Sequence, residues 1–199
     1  MNFKRKRFEH FKRFELRKDQ HIELAKICLD SGLDYNSSIW SVEQLDWVDN
    51  YLKFYKVGSG DLTNFPLIKE LSLRNKPILL STGLSDESEI KSTVDFIRIQ
   101  NSFYNDPKNL CLLQCTSMYP IPEKEANLKC IQIFKKNYNC LSGYSDHTIG
   151  IKALTIASLL GSNVLEFHFT DNPNNNSFRD HQISLTVDDV KKLKELIKE

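Results

Sequence analysis

Three of the five histidines, His147, His168 and His181, fall in the last third of the chain, and His147 and His168 each close an apolar segment of strand character. Neighbouring parallel strands end side by side, so this placement brings two imidazoles within reach of one divalent ion at the carboxyl end of a sheet. Two histidines with open positions suit Mn, Zn or Fe, and plain hydrogen bonding at strand ends is the alternative. Lys56 stands in the run Lys56-Val57-Gly58-Ser59-Gly60-Asp61, where a strand meets its loop. There a lysine can hold an anion, form a Schiff base with a carbonyl substrate, or snorkel to solvent.

Hydroxyls accumulate at successive strand ends: Ser38, Ser59, Ser81, Ser117 and Ser145. Each can cap a helix, but five together beside a cation make a pocket for phosphate or carboxylate. Glu166 and Asp180 add carboxylates suited to acid, base or sugar-binding work, and Glu166 can instead be spent in an ion pair with Lys56. Gly58 and Gly60 lack the third glycine and downstream acid of a dinucleotide fingerprint, which disfavours nicotinamide chemistry.

These residues need a scaffold, and the apolar rhythm supplies one. Strand-like segments at about 33 to 38, 53 to 58, 77 to 81, 110 to 116, 140 to 145 and 163 to 169 each precede a helical pattern, giving six βα units. Helix starts are marked at Ser41 with Gln44, Asp86 with Glu89 and Thr186 with Asp189, and Gly32 and Gly161 suit helix ends. Alternating strands and helices require a parallel sheet, open or closed into a barrel. In the last strand Val164, Glu166, His168 and Thr170 share one face, opposite Leu165, Phe167 and Phe169. A sheet buried between two helical layers would be apolar on both faces, so a polar row favours a barrel with a lined mouth.

Composition sets the class. The chain has 199 residues with 27 Lys and Arg against 26 Asp and Glu, a balance that argues against a nucleic-acid partner. No run approaches the roughly 18 apolar residues of a membrane span, and the five unpaired-looking cysteines fit a reducing, cytoplasmic setting. Residues 1 to 18 carry eight Lys or Arg against Glu9 and Glu15, and read as a basic leader or amphipathic helix ahead of a domain at 19 to 199. The segment Asn172-Pro173-Asn174-Asn175-Asn176-Ser177 reads as a cover over the site or a plain surface loop.

The runs KVGSGD at 56 to 61, FPLIK at 65 to 69, KPILLSTGLS at 76 to 85, LQCTSMYPIP at 113 to 122, GYSDHTIG at 143 to 150 and LEFHFTDN at 165 to 172, followed by Phe178-Arg179-Asp180-His181, lie in one order. Together they resemble the N-acetylneuraminate (sialic acid) synthase family over about residues 20 to 199. The resemblance implies a TIM-type (β/α) barrel that condenses phosphoenolpyruvate with an N-acetylmannosamine-like sugar to a nonulosonic acid and phosphate. It implies a divalent metal, most often Mn, on His147 and His168, with His168 and Lys56 in catalytic roles. A phosphoenolpyruvate cradle of Lys56, Ser38, Ser59, Ser81, Ser117 and Ser145 follows, with Asp61, Tyr119 and Asp180 on the sugar.

The family's barrel has two further βα units at its start and commonly a small domain at its end, so this sequence is expected to form six of eight strands. It is then expected to work as a homo-oligomer or with a complementing chain, or to be a truncated, non-catalytic remnant. A Schiff-base lyase on Lys56 is the other enzymatic alternative.

Overall fold

The computed structural model describes residues 9, 12 to 174 and 179 to 198. Most of the basic leader, the end of the asparagine-rich segment at 175 to 177, and residue 178 lie outside that range. Among the described residues, no helix is long and apolar enough to cross a membrane.

Five strands form a parallel sheet in the order of the sequence: β1 (Tyr55–Val57), β2 (Ile78–Ser81), β3 (Leu110–Cys115), β4 (Leu141–Ser145) and β5 (Val164–Glu166). Seven α-helices flank it among the described residues: α1 (Lys18–Asp30), α2 (Val42–Val48), α3 (Phe65–Ser72), α4 (Glu87–Gln100), α5 (Cys130–Tyr138), α6 (Lys152–Leu159) and α7 (Val187–Leu196). Strand-helix alternation with every neighbour parallel is the parallel sheet that the apolar rhythm requires.

The expected count of six strands is corrected to five. The segment at 33 to 38 is reduced to one bridge, Ser38 to Lys56, because the Asn36 side chain takes the Phe54 carbonyl at 2.8 Å that a continuing ladder would use. The last strand is also shorter than its apolar pattern, since beyond Glu166 the backbone leaves β4. It pairs instead with Leu185, whose N–H donates to the His168 carbonyl at 2.8 Å.

The helix-facing surface of the sheet is apolar. Tyr55, Val57, Ile78, Leu80, Leu110 and Leu112 pack into one cluster with α1 to α5, while Tyr144 and Leu165 join α5, α6 and α7 in a second. The opposite surface is concave, which the ion pair between Lys56 Nζ and Glu166 Oε2 at 3.5 Å shows directly. Four strand spacings would set β1 and β5 roughly 19 Å apart in a flat sheet. Curling crowds the inner face, and Gly143 meets that crowding: a Cβ there would lie 2.5 Å from the Val164 carbonyl oxygen and 2.4 Å from Leu113 Cδ2.

Capping follows the sequence at two of three marked starts. Asp86 and Glu89 exchange reciprocal bonds at 2.9 and 3.0 Å, and Thr186 and Asp189 do so at 2.9 and 3.3 Å. At Ser41 the side chain makes no cap bond; Gln44 instead accepts from the Trp40 N–H at 3.2 Å.

Candidate functional site

The candidate residues gather where β1 to β5 end on the concave side. Register does much of this, since Cys115, Ser145 and Glu166 face one another across β3, β4 and β5. Ser145 Oγ donates to Glu166 Oε1 at 2.8 Å. Lys56 Nζ donates to Ser81 Oγ at 2.8 Å and stands 3.5 Å from Glu166. The lysine is largely buried, so it is an interior cation and not a snorkelling one. A hollow of about 340 Å³ lies beside this pair, lined by Asn36, Lys56, Leu79, Val164 and Glu166 among others.

Ser59 and Ser117 come from different loops and converge on Gly83, where a Cβ would meet their hydroxyl oxygens at 2.8 and 2.6 Å. The absent side chain at Gly83 therefore admits both hydroxyls. Ser38 sits beside Lys56 through the backbone bridge. Asp61 bonds locally, accepting from Asn64 Nδ2 at 3.0 Å, and among the described residues it makes no hydrogen bond or ion pair with the other candidates. A second hollow of about 530 Å³ lies on the helix side of the β3 end, lined mainly by Ile90, Phe134, Tyr138 and the loops carrying Thr82 and Ser117.

The imidazoles of His147 and His168 are neighbours, with ring centroids 5.4 Å apart. His147 is fixed from below. Asp146 is buried and accepts from Tyr144 Oη at 2.9 Å, from the Thr148 N–H at 2.7 Å and from Thr148 Oγ1 at 3.0 Å, which pins the loop. His147 Nδ1 lies 2.8 Å from the Thr116 carbonyl. A carbonyl can only accept, so Nδ1 carries the hydrogen and Nε2 keeps its lone pair. His168 Nδ1 lies 3.7 Å from Asp180 Oδ2. Burial pulls both imidazoles below the ordinary histidine value, which favours the neutral, ligating form.

Tyr119 stacks on His147 with centroids 3.9 Å apart and meets His168 edge-on at 5.7 Å. Burial pushes its hydroxyl up to about 12, so it stays a donor at neutral pH. Arg179 lies over the Tyr119 ring, its Cζ 4.0 Å from the centroid and its Nε 3.0 Å from Asp180 Oδ1. His181 is directed elsewhere, with Nδ1 3.2 Å from Thr170 Oγ1.

The two histidines fit a divalent cation in donor chemistry. Among the described residues no cluster of three or more His, Cys, Asp or Glu is placed to hold a metal, so further ligands would be water or substrate oxygens. Three contributors escaped the sequence reading: the Thr116 carbonyl, the Asp146 carboxylate and Arg179. All three lay inside quoted runs, and an Asp preceding a strand-end His was a usable signal; the Thr116 carbonyl and the Arg179 guanidinium act on His147 and Tyr119 through contacts far apart in sequence.

Compared with known families, the chain matches the NeuB family over residues 1–199. It is 35% identical over 182 residues to the N,N'-diacetyllegionaminic acid synthase of Campylobacter jejuni, covering 91% of this chain and 53% of that protein. It is 31% identical over 188 residues to the N-acetylneuraminate-9-phosphate synthase of Drosophila melanogaster, covering 93% of this chain and 49% of that one. The chain thus spans about half the length of the curated relatives it matches. In three dimensions it resembles the N-acetylneuraminic acid synthetase of Leptospira borgpetersenii with a TM-score of 0.84 and 26% identity, covering 92% of this chain and 62% of that structure.

Proposed function

The chain belongs to the NeuB family, and from that premise we propose that it carries the site for condensing phosphoenolpyruvate with an N-acetylmannosamine-like sugar to give a nonulosonic acid and phosphate. The observation that carries this reading is the juxtaposition of two arrangements on one concave face. One is an anion cradle of Lys56, Ser81, Ser145, Ser59 and Ser117; the other is the imidazole pair His147 and His168 under Tyr119. Asp180, beside His168, belongs to the sugar side; Asp61, which bonds locally to Asn64, is assigned there by the family resemblance.

In this reading the cradle hydroxyls donate to the phosphate oxygens, and Lys56 meets the negative charge that grows as phosphate leaves. His147 presents Nε2 because Thr116 holds Nδ1, and His168 stands next to Asp180. A divalent cation bound there, Mn being the family expectation, supplies Lewis-acid polarisation of the sugar aldehyde. Tyr119, stacked on His147, closes one wall of the pocket and excludes water from that ring face. The new C–C bond joins C3 of phosphoenolpyruvate to the aldehyde carbon; water adds at C2, and phosphate departs from the same carbon.

A cytoplasmic setting, and assembly with a second copy or a complementing chain, belong to the same proposal. Phosphate release from phosphoenolpyruvate, N-acetylmannosamine and Mn²⁺ tests it, with the His147→Ala variant as control. Release that needs both substrates and His147 is expected. Release that persists in His147→Ala would sink the reading, whereas a folded chain that binds phosphoenolpyruvate without turning it over would favour the non-catalytic remnant. Borohydride trapping with pyruvate separates out a Lys56 Schiff base.

A further inference from the structure

Outside the imidazole pair itself, the Arg179 side chain touches both of its supports, Tyr119 and Asp180. Its guanidinium carbon lies 4.0 Å from the centre of the Tyr119 ring, and Tyr119 stacks on His147 at 3.9 Å. Its Nε edge binds Asp180 Oδ1 at 3.0 Å, and the other oxygen of that carboxylate lies 3.7 Å from His168 Nδ1. A planar, permanently charged group suits this double duty, because its face is attracted by a ring quadrupole while its edge donates to a carboxylate. Lysine offers the charge but neither the plane nor the fork.

We propose that Arg179 is a positioning residue that braces His147 and His168 at the separation needed to hold one divalent cation. The inference rests on the reading that this pair binds metal. Two routes connect the same guanidinium to the two rings, one through stacked aromatics and one through a carboxylate. Without the guanidinium, Tyr119 still touches both rings and Asp180 still neighbours His168, but nothing ties these two supports to each other; His147 keeps Thr116 and the Asp146 loop, and His168 keeps its backbone bond to Leu185. With the brace gone, the rings keep their chemistry but lose their fixed spacing, and affinity falls without loss of either ligand.

Orienting partners of metal ligands are typically worth 10- to 100-fold in metal affinity. The test is Mn²⁺ titration of the whole chain, following the free ion by electron paramagnetic resonance, with melting temperature recorded in parallel. Arg179→Gln is expected to weaken Mn²⁺ binding about 10-fold, toward the lower end of that range because Arg179 is 57% exposed. Its melting temperature should be unchanged, and Arg179→Lys should recover part of the affinity by keeping the charge opposite Asp180. Wild-type affinity in Arg179→Gln would overturn the brace while leaving the metal-binding reading intact. No Mn²⁺ binding by the wild-type chain would remove that reading and the brace together. Weakened binding with a lowered melting temperature and no recovery in Arg179→Lys would assign Arg179 to local folding and overturn the brace as well.

Discussion

Lys56 on β1 and Lys76 just before β2 serve opposite ends of the same sheet, and their surroundings differ in kind. At the amino end, Lys76 donates to Asp49 Oδ1 at 2.9 Å, Arg74 lies 3.4 Å from Oδ2, and Tyr55 Oη also donates to this carboxylate. Tyr104 Oη donates to the Lys76 carbonyl at 2.8 Å, so this network satisfies itself. At the carboxyl end, Lys56 donates to neutral acceptors, the Ser81 hydroxyl at 2.8 Å and the Val57 carbonyl at 3.4 Å, and its carboxylate partner is 3.5 Å away and 40% exposed. Charge at one end is consumed by the fold; charge at the other is left available to a ligand. A half-barrel therefore separates stability from chemistry along its strands, as complete barrels do.

Substitutions at the two ends should divide the same way. The largest effect is expected from Lys56→Met, which removes the interior cation of the cradle. Phosphate release should fall roughly 10²- to 10³-fold, by analogy with loss of one preorganised donor, while the melting temperature stays near that of the wild type. Equal loss of stability would erase the distinction between the ends. Gly143→Ala comes next and acts on the sheet that holds both. Its Cβ would press against the Val164 carbonyl at 2.5 Å, a backbone atom that cannot rotate away. Chemical denaturation should show a loss of about 3 kcal/mol, at the upper end of the range for overpacking.

The division was partly legible beforehand. Apolar runs announced β1 to β5 because strands buried against helices must be apolar on that side, and alternation in the last strand put Glu166 on the inner face and Leu165 on the helix side, where the structure has them. The lost first strand was not legible. Its residues are strand-like, but the Asn36 amide competes successfully for the Phe54 carbonyl, and such local competition leaves no periodic trace. For Lys56 the residues alone left an anion pocket, an ion pair, a Schiff base and a snorkelling position open; the ion pair is present and burial removes the last. Arg179 stood in a quoted run, but its role was not legible because its stacking on Tyr119 depends on how two distant loops meet.

A Gly83→Ala substitution sharpens the comparison on the ligand side. The new methyl would displace Ser59 and Ser117 hydroxyls that now lie 2.8 and 2.6 Å from its position. Phosphoenolpyruvate affinity, read by calorimetric titration, should weaken about 10-fold, the equivalent of roughly 1.4 kcal/mol or one charge-assisted hydrogen bond. Unchanged affinity would place the anion elsewhere than in this cradle.

The amino end offers a test that activity assays cannot see. Burial alone would raise the Asp49 carboxyl, but the bonds from Tyr55 and Lys76 and the charges of Lys76 and Arg74 outweigh it and hold the group below its ordinary value. A depressed carboxyl contributes stability that is present above its unfolded value, about 3.9, and is lost as pH falls through the lower folded value. Asp49→Asn should therefore cost about 1 kcal/mol at pH 7, less than a fully buried pair because the side chain is 23% exposed. The difference in stability from wild type should shrink as pH drops from about 4 toward 2, where wild-type Asp49 is itself being protonated. Melting curves at both ends of that range decide it. A gap that stays constant with pH would mean that shape and hydrogen bonding, not charge, hold this end together, and the contrast between the two lysines would then be one of packing.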